Sequence, residues 1–307
     1  MGANTGTRKR VAIALSVIAL LAGVALVAYP AVSDYVSKLN QLSIVQKQDA
    51  AVGQQLGAAL ATEMRASREY NERLLNNRTV VSDPFDPSNQ PVSTQEYIER
   101  DNIAADGVMG TLVIPKIKVA VPVYHGTGEE ALQRGAGHLE ATSLPVGGES
   151  THAVLAGHNG LPSARMFDDL HELEIGDYFV MEVLGEDHAY RVTSIETVFP
   201  EETDSLIVQE GKDLMTLITC TPYGINTHRL LVHAERCPLP DAWRAGDKDA
   251  AQDVVPPVSS FLMPLTLLGV ALGAGILIAH GVLARSRAVR VTPSKLAPRH
   301  SKDTSHV

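Results

Sequence analysis

The sequence predicts a mainly β fold: a closed barrel with brief helical pieces, preceded by an α-helical stalk and flanked by two transmembrane helices. Three observations carry this prediction. From Gly110 onward, short β-rich runs are separated by Gly, Pro and Asn turns, the pattern of a barrel built from many short strands. Ahead of them, apolar residues recur at intervals of three and four, the helical period. Near each end lies an uncharged apolar run long enough to cross a bilayer.

Residues 1–10 form a short tail carrying Arg8, Lys9 and Arg10. Residues 11–28, VAIALSVIALLAGVALVA, carry no charge and would extend about 27 Å as a helix, close to one bilayer core. A cleaved signal peptide is the competing reading. The apolar stretch is long and no small-x-small site closes it, so an uncleaved anchor is expected. Residues 261–283, FLMPLTLLGVALGAGILIAHGVL, would reach about 34 Å by the same arithmetic. The tail at 284–307 holds Arg285, Arg287, Arg290, Lys295, Arg299 and Lys302. Basic flanks stay on the cytoplasmic side, which places both termini there and residues 29–260 outside.

The stalk is expected over residues 29–80. Val32, Tyr35, Val36, Leu39 and Leu42 form one stripe, and Leu56, Leu60 and Met64 resume it beyond Gly53, so two helices with a break are predicted. Asn77-Arg78-Thr79 matches a glycosylation acceptor, a weak signal. Residues 81–107 form a shaped loop and linker, since Pro84, Pro87 and Pro91 exclude regular helix or sheet across its first part. The barrel is expected over 108–237, with strands at TLVI, VAVPVY, HAVLA, DYFVMEV, AYRVTSIETVF, LMTLITC and RLLVHAE. Helical pieces are expected near 129–134 and 163–171. Residues 238–260 link the barrel to the second apolar run.

Charge excludes some functions. Between the two apolar runs stand 34 acidic and 17 basic residues, which argues against nucleic-acid binding and against docking on an anionic membrane surface. Cys220 and Cys237, the only cysteines, could form a disulfide in an exported domain. They are too few for a metal cage.

Three residues carry chemistry. Cys220 ends the run Thr216-Leu217-Ile218-Thr219-Cys220, Arg229 opens the following strand, and His158 follows the strand HAVLA just before an Asn-Gly turn. A thiol, an imidazole and a guanidinium can attack a carbonyl, move the proton and hold the oxyanion. Strand ends present such side chains without burying them. Each has a duller reading: a buried small hydrophobe, a surface histidine or a solvated charge. His125, His138, His152, His171, His188, His228 and His233 compete with His158.

Together the local words are more specific. TLITC followed by TPYGINTHRLL, with AGHNGLPSARMFDDL and VMGTLVIPKIKVAVPVYHG upstream, resembles the sortase family of cysteine transpeptidases over about residues 108–236. The resemblance implies an eight-stranded sortase-type barrel, with Cys220 as nucleophile, His158 as general acid and base, and Arg229 stabilising oxyanion and substrate. Thr219 and His228 stand beside them in supporting places. Asp83-Pro84-Phe85 resembles the lid motif of class C, pilin-polymerising sortases, in which the aspartate pairs with the catalytic arginine and the ring covers the cysteine. Such a pair is worth little if solvent reaches it, so lid opening is expected to be inexpensive. Asn159 departs from the resemblance, because many class C sequences place a basic residue there.

The resemblance implies cleavage of an LPxTG-like sorting signal between Thr and Gly, a thioacyl intermediate on Cys220, and its transfer to a lysine amine of a pilin subunit. Implied partners are LPxTG-bearing pilins or surface proteins, an acceptor lysine or cell-wall peptide, and the membrane through two helices. The implied location is the membrane of a Gram-positive-type bacterium, and no metal or organic cofactor is called for. Three alternatives stay open: a housekeeping sortase that anchors proteins to the wall, a papain-like hydrolase, and a non-enzymatic scaffold with Cys220 bridged to Cys237.

Overall fold

The computed structural model of the protein describes residues 4–77, 80–86, 88, 93–247, 269 and 273–275. The expected second span at 261–283, its basic tail and Arg78-Thr79 of the glycosylation match therefore lie outside the described residues, apart from four helical positions at 269 and 273–275. Two compact units divide the chain, and Tyr29–Pro257 forms the one that carries the barrel.

Helix α1 runs from Asn4 to Gly53 through Pro30. Among the described residues, its part from Val11 to Gly53 is the one helix long and apolar enough to cross a membrane. The expected boundary between span and stalk at 28/29 is thus no break in the helix. Pro30 removes one N–H from the ladder, yet the helix continues. The break comes after Gly53, and α2 resumes at Gly57 and ends at Asn77. In its second half α1 buries Gln41, Val45 and Gln48, three residues at helical spacing on one face.

The eight strands are β1 Val108–Ile114, β2 Val119–His125, β3 Ala136–His138, β4 Thr151–Ala156, β5 Tyr178–Val183, β6 Glu186–Val198, β7 Asp213–Thr221 and β8 His228–Arg236. They close into a barrel in the order β1-β2-β3-β4-β7-β8-β6-β5. The β2–β3 and β4–β7 pairs are parallel and the others antiparallel. The seven expected runs all became strands. The eighth, β3, is only Ala136-Gly137-His138 and has too little pattern to detect. Its glycine serves a close approach: a Cβ on Gly137 would lie 2.4 Å from the Gly126 carbonyl oxygen.

Two short helices lie along the chain, α3 Gln95–Glu99 inside the expected linker and α4 Glu129–Arg134 where predicted. The helix expected at 163–171 is replaced by turns and a 3-10 turn at Leu170–Glu172. There the Phe167 N–H bonds the His158 carbonyl at 3.0 Å while its ring enters the core, so a tertiary contact overrides the local helical pattern.

Strand alternation sorts the sheet into two faces. On β7, Met215 and Leu217 enter the main core with Leu155 and Val232. Ile218 faces outward into a second apolar layer with Val154, Ala156 and Leu231. Val81 and Phe85 pack onto that outer layer, so the loop ahead of the barrel covers this face of it.

Candidate active site

Strand register brings the three chemical residues into one row. In the β7–β8 pair Cys220 stands opposite Arg229, and directly opposed residues hold their Cβ atoms about 5 Å apart on one face. In the parallel β4–β7 pair Ala156 stands opposite Ile218. Two residues further along both chains, His158 comes level with Cys220. Thiol, imidazole and guanidinium thus belong to three adjacent strands at one end of the outer face.

The His158 loop is fastened to the Cys220 strand residue by residue. The Gly157 N–H donates to Ile218 O at 3.1 Å, Thr219 Oγ1 donates to Gly157 O at 2.7 Å, and Asn159 Nδ2 donates to Cys220 O at 2.9 Å. Gly157 is required by contact, since a Cβ there would meet the Phe167 ring at 2.6 Å. The Gly160 N–H donates to Asp168 Oδ1 at 2.7 Å, which fixes the turn after His158. On the far side of Cys220 the Thr221–Pro222 peptide is cis.

The loop over this row makes specific contacts. Asp83 accepts from Arg229 Nε at 2.8 Å and from Nη2 at 2.6 Å, a two-pronged ion pair. The third guanidinium nitrogen donates to the Asn226 and His228 carbonyls at 3.1 and 3.0 Å. The Phe85 ring lies 5.9 Å from the His158 ring and 5.2 Å from the Arg229 guanidinium carbon. Thr203 Oγ1 donates to Val81 O at 3.0 Å, tying the loop's start to the segment after β6.

Two expectations need correction. Strand ends were expected to leave the side chains open, yet Cys220 is 7% exposed and Arg229 8%. The Asp83–Arg229 pair was expected to be weak through solvation, yet its side chains are 10% and 9% exposed. Both corrections have one cause: the covering loop removes water from the row. Cys220 and Cys237 are free thiols, which removes the bridged-scaffold reading.

Burial also sets the protonation states. It pushes the Cys220 thiol above its ordinary pKa, with Asp83 adding to the rise and Arg229 opposing it. It pulls His158 below its ordinary value, against the pull of Glu129. With the loop closed, the row therefore holds a protonated thiol and a neutral imidazole. The guanidinium's two free-facing N–H groups are occupied by Asp83.

The supporting residues divide. Thr219 is fully buried and grips the histidine loop as described. His228 instead bonds its neighbour Thr227 and sets its ring, tilted, against Phe199 with centroids 4.6 Å apart, while its backbone carbonyl accepts from Arg229. Competing histidines are engaged elsewhere. His138 bonds Tyr97, and His152 joins Thr216, His233 and Glu196 in a hydrogen-bonded chain. Burial lowers the pKa of both His138 and His152 to about 4. Among the described residues no cluster of ligands for a metal is formed. Thr203 and the Asn226 carbonyl were not foreseen, since backbone acceptors and a lone loop threonine leave no sequence signal.

The chain is similar to known proteins over the barrel. A sortase domain model matches residues 112–237. Sortase A of Streptococcus agalactiae serotype III is 30% identical over 179 residues, which are 55% of this chain and 72% of that protein. The crystal structure of sortase C-1 from Actinomyces oris is 48% identical and superposes with a TM-score of 0.56, covering 59% of this chain and 99% of that one. A Streptococcus pneumoniae sortase C, studied for its catalysis and pilin substrate specificity, is 38% identical with a TM-score of 0.58 and covers 64% and 97% of the two chains.

Proposed function

This chain belongs to the sortase family of cysteine transpeptidases, and from that premise we propose that it cuts an LPxTG-like sorting signal and joins the freed carbonyl to a lysine amine of a pilin subunit. The observation that carries this reading is the row His158, Cys220, Arg229 beneath Asp83 and Phe85.

The reaction begins when the loop leaves. Loss of Asp83 removes a charge that raises the thiol's pKa and frees two N–H groups of Arg229. Cys220 then gives its proton to His158 and attacks the Thr carbonyl as thiolate, and Arg229 bonds the oxyanion that develops. His158, protonated, gives its proton to the departing glycine amine as the tetrahedral intermediate collapses to a thioester. The incoming lysine amine attacks that thioester and gives its proton to His158. The thiolate departs and an amide bond remains.

Asp83-Pro84-Phe85 acts in this reading as a lid that shields the thiol from oxidation and the intermediate from water. Residues 11–28 anchor the enzyme in the cell membrane of a Gram-positive-type bacterium with the barrel outside. The second span and the cytoplasmic placement of both termini belong to the same proposal. A papain-like hydrolase would set an Asn or Asp on the imidazole, whereas Asn159 turns its amide to Cys220 O. Wall anchoring is the second reading, favoured by the 30% identity to a sortase A.

The test mixes the full-length protein in detergent with an LPxTG peptide and either a lysine-bearing pilin peptide or a wall-type peptide amine. Joined product with the pilin amine is expected, and none from Cys220→Ala. Acid product alone, or product only with the wall amine, contradicts the pilin reading.

A further inference from the structure

The β4–β7 ladder ends in an unusual way. In a parallel pair, backbone N–H groups two residues apart donate to successive carbonyls of the neighbouring strand. Gly157 N–H serves Ile218 O, so the next rung, to Cys220 O, falls to residue 159. That rung is made by the side chain of Asn159, whose Nδ2 lies 2.9 Å from Cys220 O. The reversed amide would set oxygen against oxygen, so the donor assignment is fixed by the contact itself.

The substitution has a geometric use. If the backbone supplied the rung, residues 157–159 would continue as strand. With the side chain supplying it, the backbone is free to turn at Asn159-Gly160, where Gly160 adopts φ +84° and its N–H bonds Asp168. Cys220 is still held from the histidine side at its own carbonyl. The Asn159 Oδ1 is buried without a hydrogen-bond partner among the described residues.

We propose that Asn159 is a positioning residue that locks the Cys220 backbone against the His158 loop and so sets the thiol-to-imidazole geometry for both transfer steps. This rests on the transpeptidase reading but goes beyond it, because the residue at 159 is where the chain departs from the usual class C pattern. A basic side chain there could donate the same bond; a side chain without a donor could not.

The experiment compares full-length wild type, Asn159→Ala and Asn159→Asp. It measures peptide-cleavage kcat and KM, the rate of Cys220 alkylation against pH, and Tm. Removing the donor displaces reacting groups by a fraction of an ångström, so kcat is expected to fall about tenfold with KM little changed. Asn159→Asp is expected to match Asn159→Ala at pH 8, where its carboxylate only repels Cys220 O. As pH falls toward 5, its carboxyl, kept protonated by burial, can donate, and the ratio of Asn159→Asp to Asn159→Ala kcat should rise several-fold. Wild-type kcat in Asn159→Ala, or a ratio flat with pH, overturns the proposal. So does a kcat loss that merely tracks a fall in Tm. Alkylation reports the thiol's surroundings whatever the substrate is, so a shifted alkylation profile without peptide cleavage would count against the transpeptidase reading and not against this one.

Discussion

The segment from Gly57 to Glu99 covers the barrel twice, by different means. Helix α2 buries Met64 in the main core. Asn71 makes two bonds to the Leu144 backbone, at 3.1 and 2.7 Å, and Ser67 Oγ donates to buried Asp101 at 2.6 Å. Glu63 receives both the Arg100 guanidinium and the Asp101 N–H. The loop over the row is held by contacts of another kind, among them the Asp83–Arg229 ion pair, the Phe85 ring beside His158, the Thr203 bond at Val81 and the packing of Val81 and Phe85 on the outer apolar layer. The difference teaches how one segment is both mount and cover. Where many buried backbone-directed bonds act together, opening would strand several groups at once. Where a charge pair to Arg229 is among the contacts given up, a substrate that offers Arg229 a carbonyl would replace part of what is lost.

The comparison breaks if the mount is as easily removed as the cover. The largest effect is expected from Asn71→Ala, which strands the Leu144 N–H and C=O and should cost about 3 kcal/mol of stability by denaturant unfolding, with native-state Cys220 alkylation little changed. Next, Asp83→Ala combined with Phe85→Ala should raise Cys220 alkylation about a hundredfold, close to 2.7 kcal/mol of lid closure, with Tm nearly constant.

A smaller effect concerns pH. Burial pushes the Asp101 carboxyl up to about 7, against the bond from Ser67. Between about pH 4, where the unfolded chain loses this proton, and 7, where the folded chain does, stability falls as pH rises. Asp101→Asn removes that slope, so its Tm relative to wild type should climb by a few degrees between pH 5 and 8 in thermal scans. Smallest is salt: because Asp83 and Arg229 are dry, raising NaCl from 0.1 to 1 M should change alkylation by less than about threefold.

Much of this was legible before any coordinates. That Cys220, Arg229 and His158 could meet was readable because strand runs end at or beside them and strand pairing brings such ends together, while the roles expected of them came through resemblance. Asp83, Pro84 and Phe85 were readable only through resemblance, since no local period leads from a proline-rich loop to a guanidinium 146 residues away. β3 escaped because three small residues carry no alternation. The helix expected at 163–171 failed because Phe167 serves the core and the His158 carbonyl. Asn159 looked like a mere departure in the motif; its bond to Cys220 O depends on register, which the sequence alone does not display.

The central claim is that Cys220 acts within this row once the lid is lifted. Intact-mass analysis of the full-length protein with an LPxTG peptide and no amine tests it most directly, in wild type and in Asp83→Ala with Phe85→Ala. A thioacyl adduct mapping to Cys220, forming faster in the lid variant and absent from Arg229→Ala, is the predicted result. An adduct elsewhere, or none in the lid variant with its thiol intact, would contradict the account.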